Sequence, residues 1–184
     1  MTRHTVIRTL AWLSLVVFAV ACGSKTNPIQ QYEGSTVYTQ TGMWAEEGRH
    51  HTTNYSQGIH LPVNTRVTIQ DTNRERIILH VPEMDFQVTM INAPKHTQKD
   101  IEEIYNQYFG NAQVDLSGFS AAERRAIERG EVEIGMSKEA VLLARGYPPS
   151  HATPSTNMDT WTYWRHRFGR NLVHFKNGRV SEIE

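Results

Sequence analysis

Short, partly alternating runs of apolar and polar residues dominate residues 36–92 of the chain. The runs STVYTQTGMW, TRVTIQ, RIILHV and FQVTMI are rich in Val, Ile, Thr and aromatic residues. Turn-forming stretches such as SQG, LPVN and DTNRE separate these runs. Short strands joined by frequent turns are typical of a small antiparallel barrel or sandwich. The pattern therefore predicts a small β-rich domain over residues 36–112.

The period of the apolar positions changes from that of a strand to that of a helix in HTQKDIEEIYNQYFG. The residues that share one helical face are Ile101, Ile104, Tyr105 and Tyr108. Thr97 carries a side chain suited to the start of this helix, and Gly110 suits its end. We expect the helix to close the β-rich domain.

Two short helices with strong start and stop signals are predicted after residue 118. In FSAAERRAIERG, Ser120 and Glu123 have the spacing of a capping box, and Gly130 ends the helix. In GMSKEAVLLARGYPP, Ser137 is a second cap, and Gly146 with the prolines behind it stops the second helix.

The end of the chain carries the signals of a β-meander. Asn177-Gly178 between two strand-like runs is the strongest short hairpin signal. In the preceding run, Trp161 and Tyr163 fall on one face of a strand and Trp164 falls on the other. The tail is therefore predicted to fold in the order α-α-β-β-β.

The N-terminal segment has the form of a secretory signal peptide over residues 1–21. Arg3 and Arg8 form a basic region before an apolar run of 12 residues, Leu10 to Ala21. A helix needs about 20 residues to cross a bilayer, so this run is too short to span one. A basic flank before a short apolar run is typical of an export signal.

The signal ends at Cys22, and AVAC resembles a bacterial lipobox. That resemblance implies cleavage before Cys22, a diacylglyceryl group on its thiol and a further acyl chain, such as palmitate, on its amine. Gly23 in place of aspartate implies delivery to the outer membrane. A single chain anchors a protein only marginally, whereas three would hold it firmly. Residues 22–35 are polar and include a proline, so they are predicted to be a lipidated tether.

Composition narrows the possible functions of the exported chain. The 184-residue sequence has 19 basic and 19 acidic residues, and removal of residues 1–21 leaves 17 basic and 19 acidic. No basic stripe remains for nucleic acid. Cys22 is the single cysteine, so neither a disulfide nor a thiolate metal site can hold the fold. The predicted fold class is α+β, with the β-rich domain followed by a helical and β domain over residues 113–184.

The ordered motifs of this last domain resemble the BamE family, also called SmpA/OmlA. The shared pattern is a Gly-Met-Ser turn into a helix that ends at Gly-x-Pro, then a Trp-x-Tyr strand and a Phe-x-x-Gly-x-Val-x-x-Ile hairpin. The matching positions are Gly135, Met136, Ser137, Val141, Gly146, Pro148, Trp161, Tyr163, Phe175, Gly178, Val180 and Ile183. The resemblance covers residues 119–184 and implies an outer-membrane lipoprotein that assists the insertion of β-barrel proteins. The β-rich residues 36–112 lie outside it, since that family passes almost directly from tether to helix pair.

No motif in the sequence predicts a catalytic, cofactor or metal site. The chain has nine histidines but no HExxH, and adjacent His50 and His51 would face opposite sides of a strand. A position on the protein surface is the expectation for the histidines. G-x-S-x-G, Walker and G-x-G-x-x-G patterns do not occur. The protein is therefore expected not to be an enzyme and to need no cofactor.

The aromatic strand is the candidate partner-binding site. Trp161 is expected in the core, as is Trp44 in the β-rich domain. Aromatic residues and arginine are enriched at binding hot spots. The residues expected to face a partner protein are Trp164, Arg165, His166, Arg167 and Phe168.

These features lead to one main functional hypothesis and two alternatives. The main hypothesis is a lipid-anchored docking or scaffold subunit of a cell-envelope complex at the periplasmic face of the outer membrane, with the β-barrel assembly machine as the family-level partner. The first alternative is an envelope lipoprotein whose β-rich domain binds peptidoglycan. The second is an enzyme or metal carrier whose site is assembled only by the fold.

Overall fold

The computed structural model describes residues 26–184, and this part of the chain has the predicted α+β fold. Two apolar cores organise it, one in the β-rich first half and one beneath the C-terminal helices. Among residues 26–184, no helix is long and apolar enough to span a membrane. The predicted signal peptide and Cys22 lie outside the described residues.

A curled, mixed sheet of six strands forms the first half. The strands in this half are β1 (Thr36–Thr39), β2 (Met43–Ala45), β3 (Arg49–His51), β4 (Ile59–Leu61), β5 (Arg66–Thr72), β6 (Arg76–Val81), β7 (Phe86–Ile91) and β8 (Phe109–Gly110). Their order in the sheet is β3-β7-β6-β5-β1-β8, while β2 and β4 pair as a separate ribbon. The prediction of an antiparallel arrangement is wrong for one pair, because β3 and β7 pair in parallel; the other pairs of this sheet are antiparallel, and β3 and β8 are its edges. A parallel pair distant in sequence leaves no hairpin signal.

The alternation seen in the sequence places one face of the sheet in the core. The buried alternate residues of β5, β6 and β7 are Val67, Ile69, Ile77, Leu79, Val81, Val88 and Met90. Sheet residues that alternate in this way bury one face and leave the other to solvent. The predicted sharing of faces within each strand is thereby confirmed.

The helical segment that follows β7 is divided into α1 (Pro94–Thr97) and α2 (Ile101–Tyr108). The predicted apolar face of α2 is buried in the core of the β-rich half, as expected. Thr97 does not cap this helix, because Asp100 and Glu103 form a reciprocal capping box instead. The helix also ends before Gly110, since Phe109 is extended and pairs with β1.

Residues 27–35 were predicted to be tether, but they pack against the β-rich half. Ile29 is 0% exposed, and the Tyr32 ring stacks on Tyr105 with 4.1 Å between centroids. The Asn27 and Glu33 side chains both hydrogen-bond to Thr72. The polar composition of this segment does not predict its packing, because two large side chains suffice to anchor it.

The second half has the predicted order of two helices and three strands. Its elements are α3 (Ala121–Arg129), α4 (Lys138–Arg145), β9 (Thr160–His166), β10 (Gly169–Lys176) and β11 (Arg179–Ile183). The strands form an antiparallel sheet in the order β11-β10-β9. Ser120 and Ser137 cap the starts of the two helices, as predicted, and Gly130 and Gly146 occupy their C-cap positions. Positive φ angles at Asn177 and Gly178, 54° and 75°, confirm the predicted hairpin turn.

The second core lies between this sheet and the two helices. Trp161 and Tyr163 are 0% and 1% exposed, which confirms that they share the buried face. The Trp161 ring packs on Phe175, with 4.6 Å between centroids, and its Nε1–H donates to the Met158 carbonyl. Val63 from the first half also belongs to this core, so the two halves share apolar contact.

Candidate functional site

The β9–β10 hairpin projects the predicted partner-binding residues at its tip. His166 pairs with Gly169 across the hairpin, and Arg167 and Phe168 form the turn. All four residues from Arg165 to Phe168 are exposed, and Phe168 is 83% exposed. The Arg167 guanidinium lies over the Phe168 ring at 5.4 Å from its centroid. The tip therefore presents a large apolar ring among basic groups.

Trp164 is not part of this exposed tip. It is only partly exposed, and its ring stacks on His151 with 6.4 Å between centroids and 16° between planes. Its carbonyl accepts a hydrogen bond of 3.2 Å from the Ser56 N–H. Trp164 thus belongs to the contact between the two halves of the chain. Its place at the base of the tip is taken by Arg170, which is exposed and lies opposite Trp164 in the register.

The contact between the halves is a seam of backbone hydrogen bonds. The Gly42 N–H donates to the Leu143 carbonyl at 2.8 Å, and the His151 N–H donates to the His96 carbonyl at 3.0 Å. The buried Asn54 side chain adds hydrogen bonds from Nδ2 to the carbonyls of Arg145 and Tyr147. A Cβ on Gly42 would overlap the Ala144 carbonyl oxygen, so the backbones approach too closely for any other residue.

A cleft of about 300 Å³ opens along this seam. Trp44 and Ser56 line it from the β-rich half, whereas Arg145, Tyr163 and Asn171 line it from the second half. Val132, Val173 and Ile183 supply apolar wall, and Gly130 and Glu131 complete the lining. The cleft therefore combines a few polar groups with apolar surface, as small-molecule sites do.

Arg145 is the charged group of this cleft. Its side chain is partly buried, its Nε atom is sealed from solvent, and its guanidinium lies 5.3 Å from the centroid of the Tyr163 ring. Among residues 26–184, no carboxylate forms an ion pair with it and no acceptor takes a hydrogen bond from its Nε. Burial lowers the pKa of this guanidinium, although Tyr163 opposes the shift.

His60, on strand β4 of the β2–β4 ribbon, lies close to the charge of Arg145 at the end of α4. Its ring packs against Trp44, its partner in the register, with 4.7 Å between centroids. Burial, and after it the Arg145 charge, together lower the pKa of His60 from 6.5 to about 4, against the opposing effect of the Ala144 backbone carbonyl. The histidine is therefore neutral at physiological pH, and Arg145 carries the positive charge of the seam.

The histidines do not assemble a metal site in the described part of the chain, where no group of three His, Cys, Asp or Glu side chains converges. His50 and His51 point to opposite sides of β3, as predicted. The expectation of surface positions is wrong for His50, which is 1% exposed. Its Nδ1–H donates to the Trp44 carbonyl at 2.9 Å, and its ring meets Tyr108 edge-on. Burial lowers its pKa to about 4, with a further contribution from His51.

Sequence reasoning missed the seam and its residues. In the sequence, nothing distinguishes Arg145 from any basic residue in the last turn of a helix. Trp44 was expected in the core, but it is partly exposed beside fully buried Met43. No local spacing links Trp44 to Arg145, so only the fold brings them to one cleft. Arg170 had a local signal, because it lies next to the turn of a predicted hairpin.

Comparison of the chain with protein-family models, with curated proteins and with solved structures finds no match.

Proposed function

We propose that this protein is a non-catalytic, lipid-anchored docking subunit of a cell-envelope complex, and that the β9–β10 tip is its docking surface. The partner is a protein with an acidic surface and a pocket for one aromatic ring. The family-level candidate is the β-barrel assembly machine of the outer membrane. The exposure of Phe168 among basic residues is the observation that carries this proposal.

Charge and shape at the tip support a protein partner. Arg165, Arg167 and Arg170 are all exposed, so basic groups surround the Phe168 ring. An exposed ring with arginine neighbours has the composition of a binding hot spot. Complementary charge would also speed the encounter with an acidic partner.

The motif order of the second half supports the BamE-like part of the proposal. The turn at Gly135 to Ser137 leads into α4, and Gly135 N–H donates to the Val180 carbonyl at 2.8 Å. An isolated antiparallel β-bridge also pairs Ser137 with Arg179 at the start of β11. The turn motif and the final hairpin motif of the resemblance are therefore in direct contact, which supports the proposal.

Site-specific photo-crosslinking in intact cells tests the docking surface. A photoreactive residue replaces Phe168, and a matched control replaces Lys176, which is exposed at the other end of β10. We expect an envelope-protein adduct from position 168 and none from position 176. Mass spectrometry should map the adduct to a segment rich in Asp and Glu. Equal adducts from both positions, or adducts with no acidic segment, would contradict the proposal.

Charge reversal at the hairpin tip tests whether the crosslink from position 168 depends on the basic residues around it. Arg167→Glu should abolish the adduct formed from position 168 while leaving the melting temperature unchanged, because the residue is exposed. Lys176→Glu is the matched control and should leave the adduct intact. Loss of the adduct with both variants would indicate general charge attraction instead of a defined docking surface.

The membrane anchor is tested separately at Cys22. Labelled palmitate should be incorporated into the wild-type chain and should be absent from Cys22→Ser. The labelled protein should sediment with outer membranes and not with purified peptidoglycan sacculi. Sedimentation of the detergent-extracted protein with sacculi would favour the peptidoglycan-binding alternative over docking.

A further inference from the structure

The seam cleft contains buried N–H groups that no described residue satisfies. Arg145 Nε and Trp44 Nε1 are both sealed from solvent, and neither has a hydrogen-bond partner within residues 26–184. Both side chains line the same cleft of about 300 Å³. By contrast, Trp161 Nε1–H in the second core donates to the Met158 carbonyl at 2.9 Å. Two of the unsatisfied N–H groups in residues 26–184 therefore belong to residues that line the cleft, whereas a third, Trp164 Nε1, belongs to a residue outside its lining.

The Arg145 charge makes this arrangement costly without an anion. An arginine cannot lose its proton to escape a buried site, because its pKa stays far above physiological pH. A buried charge in a protein is normally paired. Glu131, the acidic residue among the described residues that line the cleft, is paired with another cation: its carboxylate accepts a hydrogen bond of 2.6 Å from Arg129 Nε. The charge of Arg145 is thus available to a bound anion.

The lining of the cleft restricts the anion. Arg145 is the one cationic residue among the described residues that line the cleft, so a monoanion is favoured over a dianion. The planar guanidinium fork matches the two oxygens of a carboxylate. Val132, Val173 and Ile183 suit an apolar body attached to that carboxylate. The volume, at the lower limit for ligand pockets, admits only a small molecule.

We propose that the seam cleft binds a small organic carboxylate, with its oxygens at the Arg145 guanidinium and its apolar body against Trp44, Val132, Val173 and Ile183. The site lies between the two halves and is separate from the exposed hairpin tip. A bound carboxylate would join groups from both halves. This inference does not depend on the docking function proposed above.

Titration of the full-length protein with benzoate tests the site, followed by NMR signals of the indole N–H groups and of Arg145 Nε–H. Benzamide is the neutral control of the same shape. We expect benzoate to shift the Trp44 and Arg145 signals in a saturable manner and to leave the Trp161 indole unshifted. Benzamide should bind at least about tenfold more weakly, because it lacks the charge that Arg145 recognises. Equal binding of both compounds, or no saturable shift with benzoate, would overturn the proposal.

Variants show which residues contribute to benzoate binding, and a second anion tests the preference for a carboxylate. Arg145→Met should weaken benzoate binding by about tenfold or more, whereas the exposed Arg125→Met should bind as wild type does. Trp44→Ala removes the aromatic wall that the β-rich half contributes and should weaken binding severalfold, which keeps the test decisive if Arg145→Met does not fold. Wild-type affinity in both cleft variants would overturn the proposal. Inorganic phosphate that displaces benzoate at lower concentration than benzoate itself binds would overturn the assignment to carboxylates.

Discussion

The carboxylate of Glu123 joins the starts of the two C-terminal helices. Its Oε2 accepts hydrogen bonds from the Ser120 N–H at 3.1 Å and from the Ser120 hydroxyl at 2.9 Å. Its Oε1 accepts the Ser137 N–H at 3.0 Å and lies 3.6 Å from Arg179 Nη1. The side chain is only 11% exposed. One acidic residue therefore accepts hydrogen bonds from the N-cap residues of both α3 and α4.

These hydrogen bonds determine how much the ionised carboxylate of Glu123 is expected to stabilise the folded protein. The Ser137 backbone N–H is the main cause that lowers the pKa of Glu123 from 4.5 to about 2; burial opposes it and Ser120 adds to it. A pKa change of that size corresponds to about 3 kcal/mol of stability at neutral pH, since each pKa step of one is worth about 1.36 kcal/mol. The folded pKa is depressed, so this stability is present above pH 4.5 and is lost as the pH falls towards 2.

Glu123→Gln tests this reasoning, because it keeps the shape of the side chain and removes its charge. We expect the free energy of unfolding, from urea titrations followed by tryptophan fluorescence, to fall by about 2–3 kcal/mol at pH 7. Glu128→Gln, an exposed change on the same helix, should alter it by less than about 0.5 kcal/mol.

The pH dependence separates charge from packing. The difference between wild type and Glu123→Gln should narrow steadily below pH 4.5, as the wild-type carboxylate gains its proton. A loss at pH 7 that persists unchanged near pH 2.5 would show that packing and not charge is responsible. No loss at pH 7 would refute the account of the two helix starts.

Three further changes test other parts of the fold. Gly42→Ala should lower the free energy of unfolding by about 1–3 kcal/mol, because its Cβ would overlap the Ala144 carbonyl oxygen, whereas Gly118→Ala, with open space around it, should be nearly neutral in the same urea titration. Gly178→Ala should cost about 1 kcal/mol from its positive φ of 75° alone, and a cost near zero would argue against the hairpin turn. The pKa of His50 is depressed from 6.5 to about 4, so stability should be full above pH 6.5 and fall by about 3 kcal/mol as the pH drops to 4. Substitution of this histidine by Gln should flatten that part of the pH profile; an unchanged slope would contradict the assignment.

Strand β9 connects the features proposed to have function. Its buried Tyr163 lies against Arg145 in the seam cleft, and its OH donates to the Gly146 carbonyl at 2.9 Å. The next residue, Trp164, joins the seam through Ser56, and the strand ends in the exposed tip. A ligand in the cleft and a partner at the tip would therefore contact the same strand a few residues apart.

Local chemistry was readable from the sequence alone. The capping boxes, the stop glycines and the Asn-Gly turn each depend on residues a few positions apart, so their pattern survives in the sequence. Alternation within β5 to β7 and the two faces of β9 were predicted for the same reason. Ser120, Gly130 and Asn177 accordingly hold the positions predicted for them.

Only the tertiary structure decided the contacts between residues far apart in the chain. The parallel pairing of β3 with β7, the burial of Ile29 and the second role of Glu123 at Ser137 have no local signal. The cleft between Trp44 and Arg145 likewise exists only because the two halves meet. A sequence pattern records the faces of helices and strands, but which faces come together depends on the packing of the whole chain.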